Sequence, residues 1–261
     1  MEMKRQMLPM MKREKLFRLT CSVILPALFF TGPVVADDVE ELVQEVFKSD
    51  LVYAQEADEI QFTFAPQYTE SSEGATWALP IAIEYGITDN LQVELEWVSH
   101  TQNNPDDESA NSGIGDVEIG LQYSWMNIAD SSFHTALGVE ISIPFGDDKK
   151  ELGEGEKSLA TYLILAADVS EGLHTYMQLG AEFPEHEARE RFLNLGVVAS
   201  IGENTAFTLE YNWDEEAEYL TPGLAWSPIE DWELGVGVPM GINNDADDFQ
   251  LILHVILEIG A

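Results

Sequence analysis

Reactive chemistry in this 261-residue chain would have to come from its histidines and acids. His134, Asp168 and His174 fall on one parity near the same end of three consecutive segments of alternating pattern, where imidazole and carboxylate could ligate a metal. Asp168 and His174 also flank the turn "SEG", which suits a plain cross-strand pair without metal. Strands two apart are separated by ~10 Å and no His-x-His spacing occurs. The pair is therefore the simpler arrangement, and a metal held by all three stays open. Ser142 and His134 lie eight residues apart on one such segment, about 26 Å along a strand, out of reach for proton transfer. No glycine-rich phosphate loop, Walker-type lysine or CxxC is present, and "NNPDDES" (103–109) and "NNDADD" (243–248) lack the spacing of a calcium loop. No catalytic residue, metal or cofactor is expected, and the chain does not read as an enzyme.

The acids are more informative for where they recur. Glu84, Glu94, Glu96, Asp116, Glu118, Glu140, Glu182 and Glu210 all occupy the polar parity of segments whose other parity is oily. In "GIGDVEIGLQYSW" (113–125), Val117, Ile119, Leu121, Tyr123 and Trp125 alternate with Asp116, Glu118, Gly120, Gln122 and Ser124. Such alternation makes a strand with one oily and one wet face. Period-two patterning covers twelve segments: 60–68, 76–85, 91–99, 115–126, 133–145, 158–169, 173–183, 191–201, 205–213, 218–227, 232–241 and 249–259. Most match the ~9–11 residues of tilted membrane strands better than the ~5–6 of globular sheets. The connections "GITDN", "NIADSS", "SEG", "GEN" and "PIED" are short, whereas those at the other end, including "HTQNNPDDESANSG" and "GDDKKELGEGEK", tend to be longer and polar. This asymmetry is that of outer-membrane barrels, with both termini on the periplasmic side.

Ahead of these strands, residues 1–36 carry six basic residues, the apolar run "LTCSVILPALFF" (19–30) and small residues before Ala36, the pattern of a cleaved secretory signal. The run is too short for the ~20 residues of a spanning helix. Cleavage would remove Cys21 and leave Lys48, Lys149, Lys150, Lys157, Arg189 and Arg191 against 46 acids, a formal charge of six minus 46, or −40. Nucleic acid is excluded as a partner. In "DDVEELVQEVFK" (37–48), Val39, Leu42, Val43, Val46 and Phe47 fall at helical spacing. A short amphipathic helix is expected there, in a periplasmic lead segment over 37–59, with a lumen plug as the lesser alternative.

The tryptophans indicate which face meets lipid. Trp77, Trp97, Trp125, Trp213, Trp226 and Trp232 share the oily parity, and each is expected at a strand end. They form two girdles, as at membrane interfaces, whereas a soluble barrel would place large aromatics mid-strand and inward. The expected fold is thus all-β, a transmembrane up-and-down barrel of about 12 strands over 60–261, with outer-membrane lipid as a partner and the acids as pore lining.

The phrases "EYGITDNLQVELEW", "GIGDVEIGLQYSW", "ALGVEISIPFGD" and "LTPGLAWSPIEDWELGVGVPMG" resemble those of the outer-membrane barrel family catalogued under the meta-pathway of phenol degradation, over roughly residues 76–261. The resemblance implies a barrel and uptake of aromatic or other small organic compounds, and carries no binding residue over. The chain departs from common barrels in ending "EIGA" and not on an aromatic residue. A channel for small solutes, a closed structural or interaction barrel with acidic loops, and, third, a barrel enzyme are the functions to be separated.

Overall fold

The structure, a computed structural model, describes residues 42–106 and 109–260. The expected signal over 1–36 and the start of the lead segment, 37–41, lie outside the described residues. Among the described residues there are fifteen strands: β1 (Ile60–Phe64), β2 (Gln67–Ser71), β3 (Gly74–Thr88), β4 (Leu91–Pro105), β5 (Asn111–Gly113), β6 (Val117–Trp125), β7 (Phe133–Ile143), β8 (Ser158–Ser170), β9 (Leu173–Pro184), β10 (Glu190–Gly202), β11 (Thr205–Asp214), β12 (Glu218–Ile229), β13 (Trp232–Gly237), β14 (Met240–Gly241) and β15 (Phe249–Ile259).

They make twelve staves, because three staves are each broken into two strands: β1 with β2, β5 with β6, and β13 with β14. Pro66 and Pro239 interrupt the first and last of these, since proline cannot donate to the ladder. Every pairing is antiparallel, and β1 closes on β15 with Ile60 opposite Ile259 and Phe64 opposite Val255. Closure leaves no unpaired sheet edge. The short connections cluster at one end with the start of β1 and the end of β15, here termed the turn end. The opposite end is the loop end.

Side chains sort by parity. Leu95, Leu121, Leu137, Ile141 and Leu179 are exposed on the outer face, while Gln122, Gln178, Asn194 and Asn212 are buried inside. Two connections at the loop end are tighter than the sequence pattern suggests. β2 and β3 meet in a hairpin with Ser71 opposite Gly74, and β4 runs on to Pro105 to pair with β5. The extra length of β4 includes a bulge opposite Ala78 and Pro80, after which Thr101 and Asn103 turn inward. As a result Trp97, expected at a strand end, lies mid-strand. The other five tryptophans do sit toward strand ends, and Trp77, Trp97, Trp125, Trp226 and Trp232 are exposed on the outer face.

Among the described residues the expected helix is absent, and the lead segment is not a separate piece ahead of the barrel. Residues 42–57 form no helix, and the stretch from Gln44 to Gln55 lies within the lumen. The amides of Phe47 and Lys48 donate to Glu210 Oε1 and Oε2 at 2.8 and 3.2 Å, and that of Gln44 donates to Glu233 Oε2 at 3.2 Å. Wall carboxylates thus take the donors that a helix would have given to its own carbonyls. The apolar residues pack on the wall instead of along a helix face: Val43, Val46, Leu51 and Val52 join Ala136, Ile164, Ala166, Val198, Ala206 and Ala225 in one buried cluster. Phe47 occupies space left by Gly223 and Gly237, where an added Cβ would meet its ring at 2.2 and 2.3 Å.

Candidate functional site

The lead segment enters beside Glu233, rises to Lys48 and returns past Tyr53 to Gln55, where its amide donates to Gln92 Oε1 at 2.8 Å. Beside it remains a cavity of about 420 Å³ whose lining includes Glu84, Glu94, Glu96, Glu118, Glu140 and Asp50. Strand register explains the acidic concentration. Glu84, Glu94, Gly120 and Glu140 stand in one cross-strand row, and Ala82, Glu96, Glu118 and Ser142 in the next. Like charges directly opposite one another, as in Glu84–Glu94 and Glu96–Glu118, are unfavourable in a sheet. Gln61 Nε2 and Gln92 Nε2 donate to the Glu84 carboxylate at 2.8 and 2.9 Å.

The wall across from these acids is composed differently. Gln178, Asn194 and Asn212 form an amide ladder, with Asn194 Nδ2 donating to Gln178 Oε1 at 2.7 Å and Asn212 Nδ2 to Asn194 Oδ1 at 3.1 Å. Lys48 is the only lysine or arginine lining the cavity among the described residues. Its ammonium donates to Gln250 Oε1 at 3.3 Å and lies 4.4 Å from the centre of the Tyr219 ring. Burial pushes the Lys48 ammonium below lysine's ordinary value, against the pull of Asp247, Glu210 and Asp214. Asp50, held by Gln178, is pushed up to about 6, first by burial and further by the charges of Glu45 and Glu210.

Three of the expected pore-lining acids have other surroundings. Glu210 is fully buried beneath the lead segment and also accepts from Ser49 Oγ at 2.7 Å. Asp116 tethers the connection from β7 to β8, accepting from the amides of Phe145, Gly146 and Glu154 at 2.9, 2.8 and 2.7 Å. That connection folds inward, burying Leu152 near Gly113 and Gly115. Glu182 continues the acidic row on β9, opposite Ala160, beyond the residues that line the cavity.

His134, Asp168 and His174 do come together. Asp168 pairs with His174 in register, and its two oxygens reach His174 Nδ1 and His134 Nε2, both at 2.8 Å. Asp168 on the middle strand thus bridges the ~10 Å between the two outer strands. The His134 Nδ1 accepts from the Asn127 amide at 3.0 Å, which fixes its proton on Nε2 and makes it a donor to Asp168. Tyr53 of the lead segment contacts His174 Nδ1 at 3.0 Å. Through these bonds the trio ties the wall to the lead segment.

Sequence patterning favours the periplasmic side for the lead segment and carries its place in the lumen only as the lesser alternative. The signal was there in Ile164, Val198, Ala206 and Ala225, apolar residues at lumen parity that needed a cover.

The class so defined is a closed twelve-stave antiparallel barrel with an oily exterior and an acidic, partly filled interior. The chain belongs to the family described as "Putative MetA-pathway of phenol degradation", whose model matches residues 96–253. Among solved structures it is similar to an outer membrane channel from Pseudomonas putida F1, with a TM-score of 0.65 and 14% identity over 82% of this chain and 100% of that one. The KdgM porin gives 0.56 and 11%, covering 76% and 99%, and the NanC porin 0.55 and 9%, covering 77% and 100%. At these identities the likeness is one of fold. Comparison with the curated proteins gives no match.

Proposed function

We propose that the protein is an outer-membrane channel admitting small solutes, with its turn end toward the periplasm and its loop end outside. The observation that carries this reading is the inversion of the barrel: large apolar side chains such as Trp77, Leu137 and Phe133 are exposed on the outer face, while the buried inner face is rich in amides and acids. In water such a continuous oily exterior would be an association hazard. In lipid it is satisfied, and a closed barrel leaves no backbone group unpaired in hydrocarbon. The solved channel and porins of the same architecture support the reading, and export through a signal over residues 1–36 fits it.

The family's description makes small aromatic compounds the cargo to test first. Tyr53, Tyr162 and Phe192 offer ring surface in the cavity, while the glutamates bias its field toward cations. No step of this function needs a catalytic residue.

The test is swelling of liposomes carrying the full mature chain in three solutes: a pentose, benzyltrimethylammonium and benzenesulfonate. The pentose and the aromatic cation should enter, the cation faster than the anion. No swelling in any solute would overturn the channel reading and favour a closed structural barrel, the reading that the seated lead segment would then support.

A further inference from the structure

The outer wall carries a trough that its position in a membrane alone does not explain. Cross-strand register places Val139, Thr161 and Ala181 in one outward row that ends at Arg191. One neighbouring row is Leu137, Leu163 and Leu179, and the other is Ile141, Leu159 and Phe183. The short side chains leave a channel in the oily surface beside the leucine row, whose Leu137, Leu163 and Leu179 line it. The resulting groove measures about 840 Å³ and runs from Leu121 and Leu137 up to Trp213, Arg189 and Arg191 at the loop end.

The two arginines give the groove a charged head. Arg191 Nε donates to Glu215 Oε1 at 2.6 Å, which orients the guanidinium, and among the described residues its terminal amino groups have no acceptor. Arg189, also exposed, makes no ion pair among the described residues. Charge along the barrel points the same way. Apart from Lys48 in the lumen, all the basic residues described (Lys149, Lys150, Lys157, Arg189 and Arg191) lie at the loop end, and the turn end has none.

We propose that this groove binds a phosphorylated, multiply acylated lipid of the outer leaflet, one acyl chain lying over Thr161 and Ala181 and a phosphate meeting Arg189 and Arg191. The inference rests on the membrane reading given above. Bidentate guanidinium–phosphate bonds supply selectivity for the anionic head, and apolar contact in the groove supplies affinity without selectivity. Neighbouring Glu190 and Glu215 oppose an anionic head, so a phosphate must engage both guanidinium groups to be held.

The experiment is native mass spectrometry of the full mature chain recovered from phosphatidylcholine vesicles doped with lipid A. Wild-type protein should retain lipid A. The Arg189→Gln/Arg191→Gln variant should retain about tenfold less, and Ala181→Phe, which fills the groove, should also lose it. Lys149→Gln/Lys150→Gln should behave as wild type. Inorganic phosphate added in excess should fail to displace the lipid, because it makes no groove contact. Equal retention by all variants, or displacement by phosphate alone, would overturn the proposal. A heat-modifiable barrel that enters vesicles but keeps no lipid A rejects the site alone, whereas failure to enter vesicles rejects the membrane reading.

Discussion

Glu118 and its neighbours Ile119 and Leu121 test the sorting of faces one residue at a time. Ile119 and Leu121 are exposed on the outer wall, whereas Glu118 faces the cavity. Arginine at either apolar position should destabilise the barrel in lipid by ~2–4 kcal/mol, while arginine at Glu118 should be tolerated. Urea titration of the refolded barrel in vesicles measures both, and equal costs at all three positions would mean the faces are misassigned. Glu210 tests the seat of the lead segment. Its carboxylate accepts from two backbone amides and the Ser49 hydroxyl, and hydrogen bonds to a charged group contribute ~1.5–3 kcal/mol each. Glu210→Ala should expose the Lys48 peptide bond, so trypsin should cut after Lys48 about tenfold faster or more than in wild type. Unchanged cleavage would show that Glu210 does not hold the segment.

At the scale of elements, the lead segment couples the lumen to pH. The Asp50 carboxyl, pushed up to about 6, binds its proton more firmly in the seated state than in water. Its contribution to seating is therefore complete below the ordinary carboxylate value and is lost as pH rises through about 6. Conductance should rise between about pH 4 and about pH 6 and level off above that, and Asp50→Asn should flatten this rise. An identical profile in the variant would remove Asp50 from the mechanism. This element also marks the limit of what the sequence conveys. The twelve period-two segments match the twelve staves because each wall residue has only two directions to face, and alternation records which. Residues 42–57 have no such constraint. The spacing of Val43, Val46 and Phe47 reports burial, and burial against a wall assembled from distant strands leaves the same trace as an amphipathic helix. The bulge that turns Thr101 and Asn103 inward was likewise invisible, since polar residues on both parities hide a shift of register. The acidic rows were legible as a face, yet the uses of Asp116 and Glu210 depend on a loop and a lead segment that alternation cannot place.

At the scale of the whole molecule, the lining glutamates stand against one lysine, so the lumen has a field of one sign. A narrow acidic passage in a low-dielectric wall concentrates cations. That preference should weaken as salt approaches about 1 M, where the screening length falls to about 3 Å. Replacing Glu94, Glu96, Glu118 and Glu140 together by glutamine should reduce it at low salt. Reversal potentials under a salt gradient give both results, and a preference indifferent to salt and to these substitutions would place its origin elsewhere. The measurement that bears most directly on the account is single-channel recording of the full mature chain beside a variant lacking residues 42–57. The full mature chain should give a small, cation-preferring conductance that increases when the segment is removed. Anion preference, or no conductance from either protein, would contradict it.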